Sequence, residues 1–267
     1  MKRIHLLPNV LTAFGLTCGL FVIFKLNMTD VGRADEQVLM TSALILLVAG
    51  IFDLLDGFVA RAMNATSEFG GLFDSLADAV TFGVAPSVIV LKGLSVEPKT
   101  FASFALTTSA LVFSVSGVMR LVRYSVSAHE GDQDEKLKNF TGLPIPAAAS
   151  CIVSLILLLS STGMNQGSKL AIMCCAMISL GYLMISRLRF PSVKKMNWRI
   201  GSFQVVFAVV FVAAVLLYGM IYHFPLVFAF SAWAYVVVSL ALSAIRWITG
   251  RRLKTLEDFD PAPENPF

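Results

Sequence analysis

The chain has 267 residues, of which 57% are hydrophobic and 14% are charged, whereas soluble globular proteins carry about 25% charged residues. Its mean hydropathy is +0.77. This composition excludes a soluble globular domain and a disordered chain. The formal net charge of +4 gives no reason to invoke nucleic acid. Membrane lipid is the partner that such a composition predicts.

The apolar residues come in runs of about 20, the length that crosses a bilayer as a helix. These runs are too uniformly apolar for barrel strands, which alternate between apolar and polar residues. The sequence therefore predicts an all-α, polytopic membrane bundle of about eight transmembrane helices over residues 1–250, and a disordered cytoplasmic tail over residues 251–267. The predicted spans lie near residues 8–26, 38–61, 71–93, 101–123, 144–163, 168–187, 203–222 and 226–247.

The loop charges predict an orientation, because cytoplasmic loops of membrane proteins carry an excess of Lys and Arg. With the amino terminus in the cytoplasm, 16 of the 21 Lys and Arg residues fall on the cytoplasmic side and five on the far side. An even number of spans then places both termini in the cytoplasm. We expect the protein to lie in a cytoplasmic membrane.

The first predicted span begins with Pro8 and Asn9, and Thr12 follows on a similar face. These polar residues either cap the helix or border a ligand site, and the sequence alone leaves both open. Gly15 and Gly19 are four residues apart, which lets another helix approach closely. That helix could belong to the same bundle or to a second copy of the chain.

Four carboxylates lie in the second and third predicted spans, an unusual and costly placement in a membrane. Asp53 and Asp56 are three residues apart, and Asp74 and Asp78 are four apart, so each pair shares one helix face. The polar turn at 64–68, with Thr66 or Ser67 as a helix cap, could bring the pairs together. Converging carboxylates repel one another unless cations lie among them, and all-oxygen ligands favour Mg²⁺ or Mn²⁺.

The cytoplasmic end of the second span carries Arg61, about 12 Å along the helix axis from Asp53. Gly57 and Ala60 lack bulk on the face that carries the acids, so a flat nucleotide could pack there. A guanidinium at Arg61 could hold phosphate oxygens. Close helix packing and a topology charge are the alternatives for Gly57 and Arg61. Farther along the third span, Pro86 predicts a kink.

The fourth predicted span ends in Arg120 and Arg123, which are three residues apart and share a face. They are either cytoplasmic topology charges or ligands for an anionic group. The fourth span could extend several residues beyond Arg123. Gly142 and Pro144 then open the fifth span.

The second and third spans contain the spacing Asp-x2-Asp-Gly-x2-Ala-Arg-x8-Gly-x3-Asp-x3-Asp, with every position filled. This resembles the signature of the CDP-alcohol phosphotransferase (phosphatidyltransferase) family. The resemblance implies transfer of a phosphatidyl group from CDP-diacylglycerol to an alcohol, release of CMP, two divalent ions and a homodimer. It also implies functional residues: metal ligands Asp53, Asp56, Asp74 and Asp78, with Asp78 also the general base, and a nucleotide site of Asn9, Thr12, Gly57, Ala60, Arg61, Thr66 and Gly70.

Two further segments resemble the serine branch of this family, which implies L-serine as the acceptor. They are the start Pro8-Asn9-x-x-Thr12 and the stretch from Arg120-Leu-x-Arg123 to Gly142-Leu-Pro144-x-Pro146. Arg120, Arg123, Gly142 and Pro144 are the acceptor-site residues that this resemblance implies. The chain has Val122-Arg123-Tyr124-Ser125 where the branch often has Ala-Arg-Phe-Asn, a departure that bears on the acceptor and not on the family.

Three alternative functions are also compatible with these four carboxylates. The same chemistry could use glycerol 3-phosphate, inositol phosphate or choline as the acceptor. A cation-coupled carrier would use the carboxylates as its ion site, but carriers often show two related halves. Residues 134–267 contain no second copy of the acidic motif, which argues against a carrier. A non-catalytic scaffold would not require a complete set of metal ligands.

Overall fold

A computed structural model describes residues 6–29, 36–63, 67–94, 96–129, 142–186, 219 and 222–257. Within these ranges the regular secondary structure is entirely helical, which confirms the all-α prediction. The α-helices are α1 (Leu6–Asn27), α2 (Glu36–Ala62), α3 (Glu68–Asp78), α4 (Ala85–Gly93), α5 (Phe101–His129), α6 (Ile145–Ser161), α7 (Gln166–Ile185) and α8 (Phe224–Glu257). A π-helical segment, Ala79–Val84, joins α3 to α4.

Six helical stretches in the described ranges are long and apolar enough to cross a membrane: Leu7–Asn27, Glu36–Ala62, Glu68–Gly93, Phe101–Val126, Gln166–Ile185 and Phe224–Ser243. The predicted fifth span corresponds to α6, an apolar helix of 17 residues. The predicted seventh span, 203–222, lies almost entirely outside the described residues. The count of eight and the orientation of the termini therefore stay predictions.

Two helix ends differ from the predicted span limits. Helix α5 continues to His129, which confirms that the fourth span extends beyond Arg123. Helix α8 continues to Glu257, so the segment predicted as a disordered tail begins inside a helix. Residues 258–267 of that tail lie outside the described residues.

Helix α6 forms the centre of the bundle. Its side chains at Ile145, Ile152 and Ile156 are almost completely buried, and α2, α4, α7 and α8 all pack against it. A helix that is covered by protein on several sides carries apolar residues on all of its faces. This explains why a helix of only 17 residues has the composition of a membrane span.

The outward faces of the longer helices carry large apolar side chains. Phe24, Phe58, Phe104 and Phe230 are each more than 60% exposed, and they lie on four different helices. So many exposed aromatic residues are incompatible with a water-facing surface and suit contact with lipid tails. Together with the six helices of spanning length, they identify an integral membrane protein.

Helices α1 and α2 pack along each other, and the small residues of α1 permit close contacts within the bundle. A Cβ atom added to Gly15 would lie 3.7 Å from the carbonyl oxygen of Ala49 on α2. A Cβ atom added to Gly19 would lie 2.6 Å from Thr81 Oγ1 and 2.9 Å from Thr81 Cα, so no larger residue fits there. Both glycines therefore serve packing within the chain.

The third span loses α-helical geometry over Ala79–Val84, before Pro86. The sequence predicted a kink at this proline, and the structure shows a π-helical segment at that place. Pro86 has no N–H to donate to the carbonyl of Phe82, four residues earlier, so one hydrogen bond of a regular helix is lost there. The hydroxyl of Ser114 on α5 donates to the carbonyl of Gly83 at 2.8 Å. π-Helical turns are frequent at functional sites, and this one begins directly after Asp78.

The turn before α6 depends on Gly142, whose φ is +89°. The adjacent Leu143 N–H donates to the carbonyl oxygen of Leu183 on α7 at 3.1 Å. A Cβ atom at Gly142 would collide with the carbonyl oxygen of Met184. The structure thus gives Gly142 a packing role, and its predicted contact with the acceptor stays a prediction.

We expect Gly142→Ala to lower the free energy of unfolding by about 1–3 kcal/mol, because alanine is strained at positive φ and its methyl group has no space. Thermal unfolding in detergent would measure this loss. Gly163→Ala is the matched control, because among the described residues, its chain neighbours aside, no atom lies within 4 Å of the added Cβ at that position. Equal stability of the two variants would contradict the prediction.

Candidate active site

Three carboxylates from two helices converge at one end of the bundle. One ligand atom from each of Asp53, Asp56 and Asp74 lies within 4.8 Å of the others. The first two belong to α2 and the third to α3, so acids from both helices meet, as the sequence predicted. Asp56 is only 5% exposed, which makes its charge costly unless a cation is bound nearby.

Asp78 extends this cluster, because it lines the same small cavity as the other three aspartates. All four aspartates line one small cavity of about 10 Å³, enough for about one water molecule. Thr81, on the π-helical segment, also lines this cavity. Its Oγ1 atom is buried without a hydrogen-bond partner within the described structure, although most buried polar atoms have one.

The first turns of α1 reach the carboxylates through Thr12. Its hydroxyl lies 2.6 Å from Asp56 Oδ2 and 3.1 Å from the carbonyl oxygen of Pro8. Thr12 is 7% exposed, so this is a buried contact to a charged acceptor, the stronger class of hydrogen bond. The sequence predicted Thr12 for the nucleotide site, and the structure places it against a predicted metal ligand.

Asn9 and Gly70 lie together at the start of α3. Ser67 caps this helix, because its Oγ accepts the backbone N–H of Gly70 at 3.0 Å. A Cβ atom at Gly70 would lie 3.1 Å from Asn9 Oδ1, so the absence of a side chain makes room for the asparagine. The predicted nucleotide residues Asn9 and Gly70 are therefore neighbours, whereas Thr66 lies outside the described residues.

The end of α2 carries the remaining predicted nucleotide residues, Gly57, Ala60 and Arg61. The Arg61 guanidinium folds back along the helix, because a Cβ atom at Gly57 would lie 3.4 Å from Arg61 Nη1. Arg61 also interacts electrostatically with Asp56. Arg61 is exposed and Ala60 is half-buried, so this cation lies at the open side of the carboxylate cluster.

Arg120 approaches the carboxylates from α5. It is half-buried, it interacts electrostatically with Asp78, and its Nε atom is buried without a hydrogen-bond partner within the described structure. Arg123, the other arginine predicted for the acceptor, is exposed and lies three residues farther along α5. The structure thus brings Arg120 to the carboxylates.

Pro144 and Asp53 border a second, larger cavity of about 400 Å³. Most of its lining is apolar, from α2, α6 and α8, with Tyr235 among the few polar residues. The predicted acceptor residue Pro144 therefore lies in a cavity that reaches the carboxylates.

The model of the CDP-alcohol phosphatidyltransferase family matches residues 5–182, a stretch that contains every carboxylate of the cluster and Arg120. The chain belongs to the CDP-alcohol phosphatidyltransferase family. It is similar to a CDP-diacylglycerol–serine O-phosphatidyltransferase of Helicobacter pylori, at 32% identity over 90% of this chain and 96% of the relative. The enzyme of the same name from Bacillus subtilis is 35% identical over 71% of this chain and 92% of its own length.

A third relative is named archaetidylserine synthase, from Methanothermobacter thermautotrophicus. It is 34% identical to this chain, and the match covers 72% of each protein. Family membership makes the chain a transferase of phospholipid biosynthesis. It also decides between this class and the carrier and scaffold alternatives.

The carboxylates suit the divalent metal that a phosphatidyltransferase uses. Two ligands of one Mg²⁺ ion stand at most about 4.2 Å apart, because Mg–O distances are about 2.0–2.1 Å. The spread of 4.8 Å among Asp53, Asp56 and Asp74 is only slightly larger, so small side-chain rotations would bring the oxygens to ligand distance. Carboxylates are acceptor-only groups when ionised, and a cation would relieve their repulsion.

Two polar residues of this region were missed by sequence reasoning. Thr81 lies in an apolar stretch, and only the fold shows that its hydroxyl is buried beside the carboxylates. Tyr235 lies in α8, beyond the part that the family model matches. A signal was present for it, because Ser231, Tyr235, Ser239 and Ser243 form a polar stripe at i, i+4 spacing along the apolar first part of this helix.

Proposed function

We propose that this phosphatidyltransferase transfers the phosphatidyl group of CDP-diacylglycerol to L-serine, forming phosphatidylserine and CMP. The observation that carries the proposal is the convergence of Asp53, Asp56 and Asp74, with Asp78 in the same small cavity. Arg120 interacts electrostatically with Asp78. The names of the three relatives support serine as the acceptor, since all three include it.

The residues of the site have separate roles in the reaction. Asp53, Asp56 and Asp74, with Asp78 shared, would hold two divalent ions, Mg²⁺ or Mn²⁺. When bound, such ions offset the charge of the pyrophosphate and stabilise the leaving phosphate. Arg61, beside Gly57 and Ala60 at the open end of α2, binds a phosphate oxygen of the nucleotide. Asn9 and Gly70 border the same nucleotide site on the α1 side.

Asp78 acts as the general base. It takes the proton of the serine hydroxyl while the serine oxygen forms a bond to the phosphorus of the phosphatidyl group. The bond between that phosphorus and the oxygen bridging to CMP breaks, and its electron pair leaves with CMP. Asp78 then releases the proton to water. Arg120, next to Asp78, binds the anionic group of the acceptor.

The proposal also includes the orientation of the enzyme in the membrane and its oligomeric state. The active site faces the cytoplasm, so polar serine enters from water while the acyl chains of the donor stay in the cytoplasmic leaflet. The exposed apolar helix faces suit this lipid contact. Homodimerisation, which the family resemblance implies, is part of the same proposal.

Release of CMP by the purified protein in detergent tests the proposed function. We expect release from CDP-diacylglycerol when Mg²⁺ or Mn²⁺ and L-serine are both present, and loss of release when a chelator removes the metal. Glycerol 3-phosphate, inositol phosphate and choline, each supplied alone, should give no release. Release with one of these and not with serine would retain the family chemistry and overturn the proposed acceptor.

A further inference from the structure

Helix α8 brings a polar group to the carboxylate end of the bundle. Tyr235 lines the cavity of about 400 Å³ that also exposes Asp53. Among the described residues, only Tyr235 and Ser150 contribute a hydroxyl group to the lining of this cavity. A phenol at the boundary between an apolar cavity and a cluster of charges is placed to contact a substrate that has a polar head.

Tyr235 interacts with polar groups of two helices, α8 and α5. Its hydroxyl hydrogen-bonds with that of Ser239, one turn farther along α8, and the phenol interacts electrostatically with the Arg120 guanidinium. Ser239 is 1% exposed, so its hydroxyl is a fixed partner. Arg120 in turn interacts with Asp78, which makes a continuous series of polar groups from α8 to the predicted general base.

The Arg120 guanidinium has an N–H group that is not used in a hydrogen bond within the described structure. Its Nε atom is buried and has no partner within the described structure, and an arginine side chain has only donors. The Tyr235 phenol, which interacts electrostatically with this guanidinium, is a further donor. Donors of these two kinds suit a planar anion with two oxygens, and a carboxylate is the group that guanidinium geometry binds in two-point fashion.

We propose that Tyr235 is a specificity-determining residue which, together with Arg120, binds the carboxylate of the acceptor amino acid. This inference rests on the proposed transfer to serine. It gives the last membrane helix, which the family model does not match, a direct part in choosing the acceptor. The serine hydroxyl would then lie toward Asp78, because Arg120 stands next to that aspartate.

The experiment compares L-serine with L-serinamide, which keeps the hydroxyl and the amine but lacks the carboxylate. CMP release would be measured for wild type and Tyr235→Phe with CDP-diacylglycerol and metal held constant. We expect the variant to lose at least about tenfold in kcat/KM for serine, mostly through KM, because a hydrogen bond to a charged group is lost. Its kcat/KM for serinamide should stay at the wild-type value.

Two further variants separate recognition from folding. Ser239→Ala leaves the phenol in place but removes its partner, so it should reduce the preference for serine over serinamide by a smaller factor. Tyr182→Phe is the matched control, because Tyr182 is 72% exposed, and it should behave as wild type. Thermal unfolding of each purified variant would show that the comparison is made on folded protein.

The outcomes distinguish the inference from the proposed function. An unchanged preference for serine over serinamide in both Tyr235→Phe and Ser239→Ala would overturn the inference alone. Equal losses on the two acceptors would also overturn it, since they would indicate a structural role. Failure of the wild type to release CMP with serine would overturn the proposed function and the inference with it.

Discussion

Replacing Asp78 with asparagine should lower the rate of CMP release by at least about a hundredfold, because a positioned general base contributes about 10²–10⁴ to a rate. Asparagine has nearly the same shape, but it cannot take the proton from serine. Initial rates of CMP release at saturating serine and CDP-diacylglycerol would measure the loss.

The response to metal separates a base from a metal ligand. If Asp78 acts mainly as the base, raising the Mg²⁺ concentration will not restore the rate of Asp78→Asn. Because Asp78 is only a shared ligand, the variant's Mn²⁺ affinity, measured by electron paramagnetic resonance, should fall less than that of Asp74→Asn. Glu68→Gln is the control, because Glu68 is an exposed acid at the start of the same span. Wild-type rates in Asp78→Asn would exclude Asp78 as the base.

The first two predicted spans match observed helices because bilayer thickness sets the length of an apolar run. The predicted second span, 38–61, corresponds to Glu36–Ala62, and the first corresponds to Leu6–Asn27. The centre of the bundle could not be predicted in this way. Helix α6 has the same apolar composition as its neighbours, and only tertiary packing shows that it is surrounded by protein.

The irregular part of the third span shows a second limit of sequence reasoning. Pro86 indicates that regular hydrogen bonding must fail nearby, but many backbone arrangements satisfy that condition. The structure uses a π-helical segment whose Gly83 carbonyl accepts a hydrogen bond from Ser114. That partner lies 31 residues away along the chain, so local sequence cannot identify it.

Within the candidate site, the sequence predicted that the two pairs of aspartates meet, but not which of the four lie at ligand distance from one another. The structure groups Asp53, Asp56 and Asp74 by ligand distance and places Asp78 in the same small cavity. Thr12 and Asp56 are in contact although they are 44 residues apart in the sequence. Tyr235 and Arg120, which interact electrostatically, are separated by more residues still. Such pairs depend on how helices pack, which periodicity along one helix cannot specify.

The carboxylate of Asp74 should be as important as that of Asp78, but for a different reason. Asp74 is the member of the three-carboxylate group that α3 supplies, while α2 supplies the other two. We expect Asp74→Asn to weaken Mn²⁺ binding by more than about a hundredfold, because changes to residues that only support metal ligands already cost about 10–100-fold. Titration with Mn²⁺ followed by electron paramagnetic resonance would measure this affinity directly.

The loss of activity in Asp74→Asn should follow the loss of metal. Raising Mn²⁺ should recover part of the CMP release, in contrast to Asp78→Asn, because the remaining carboxylates of Asp53 and Asp56 still attract the ion. Asp74→Glu keeps the charge but lengthens the side chain, so it tests whether position matters as well as charge. Unchanged Mn²⁺ affinity in Asp74→Asn would show that Asp74 is not a ligand. The metal would then have to be held by Asp53 and Asp56 of α2, with Asp78 as the remaining carboxylate of the cluster.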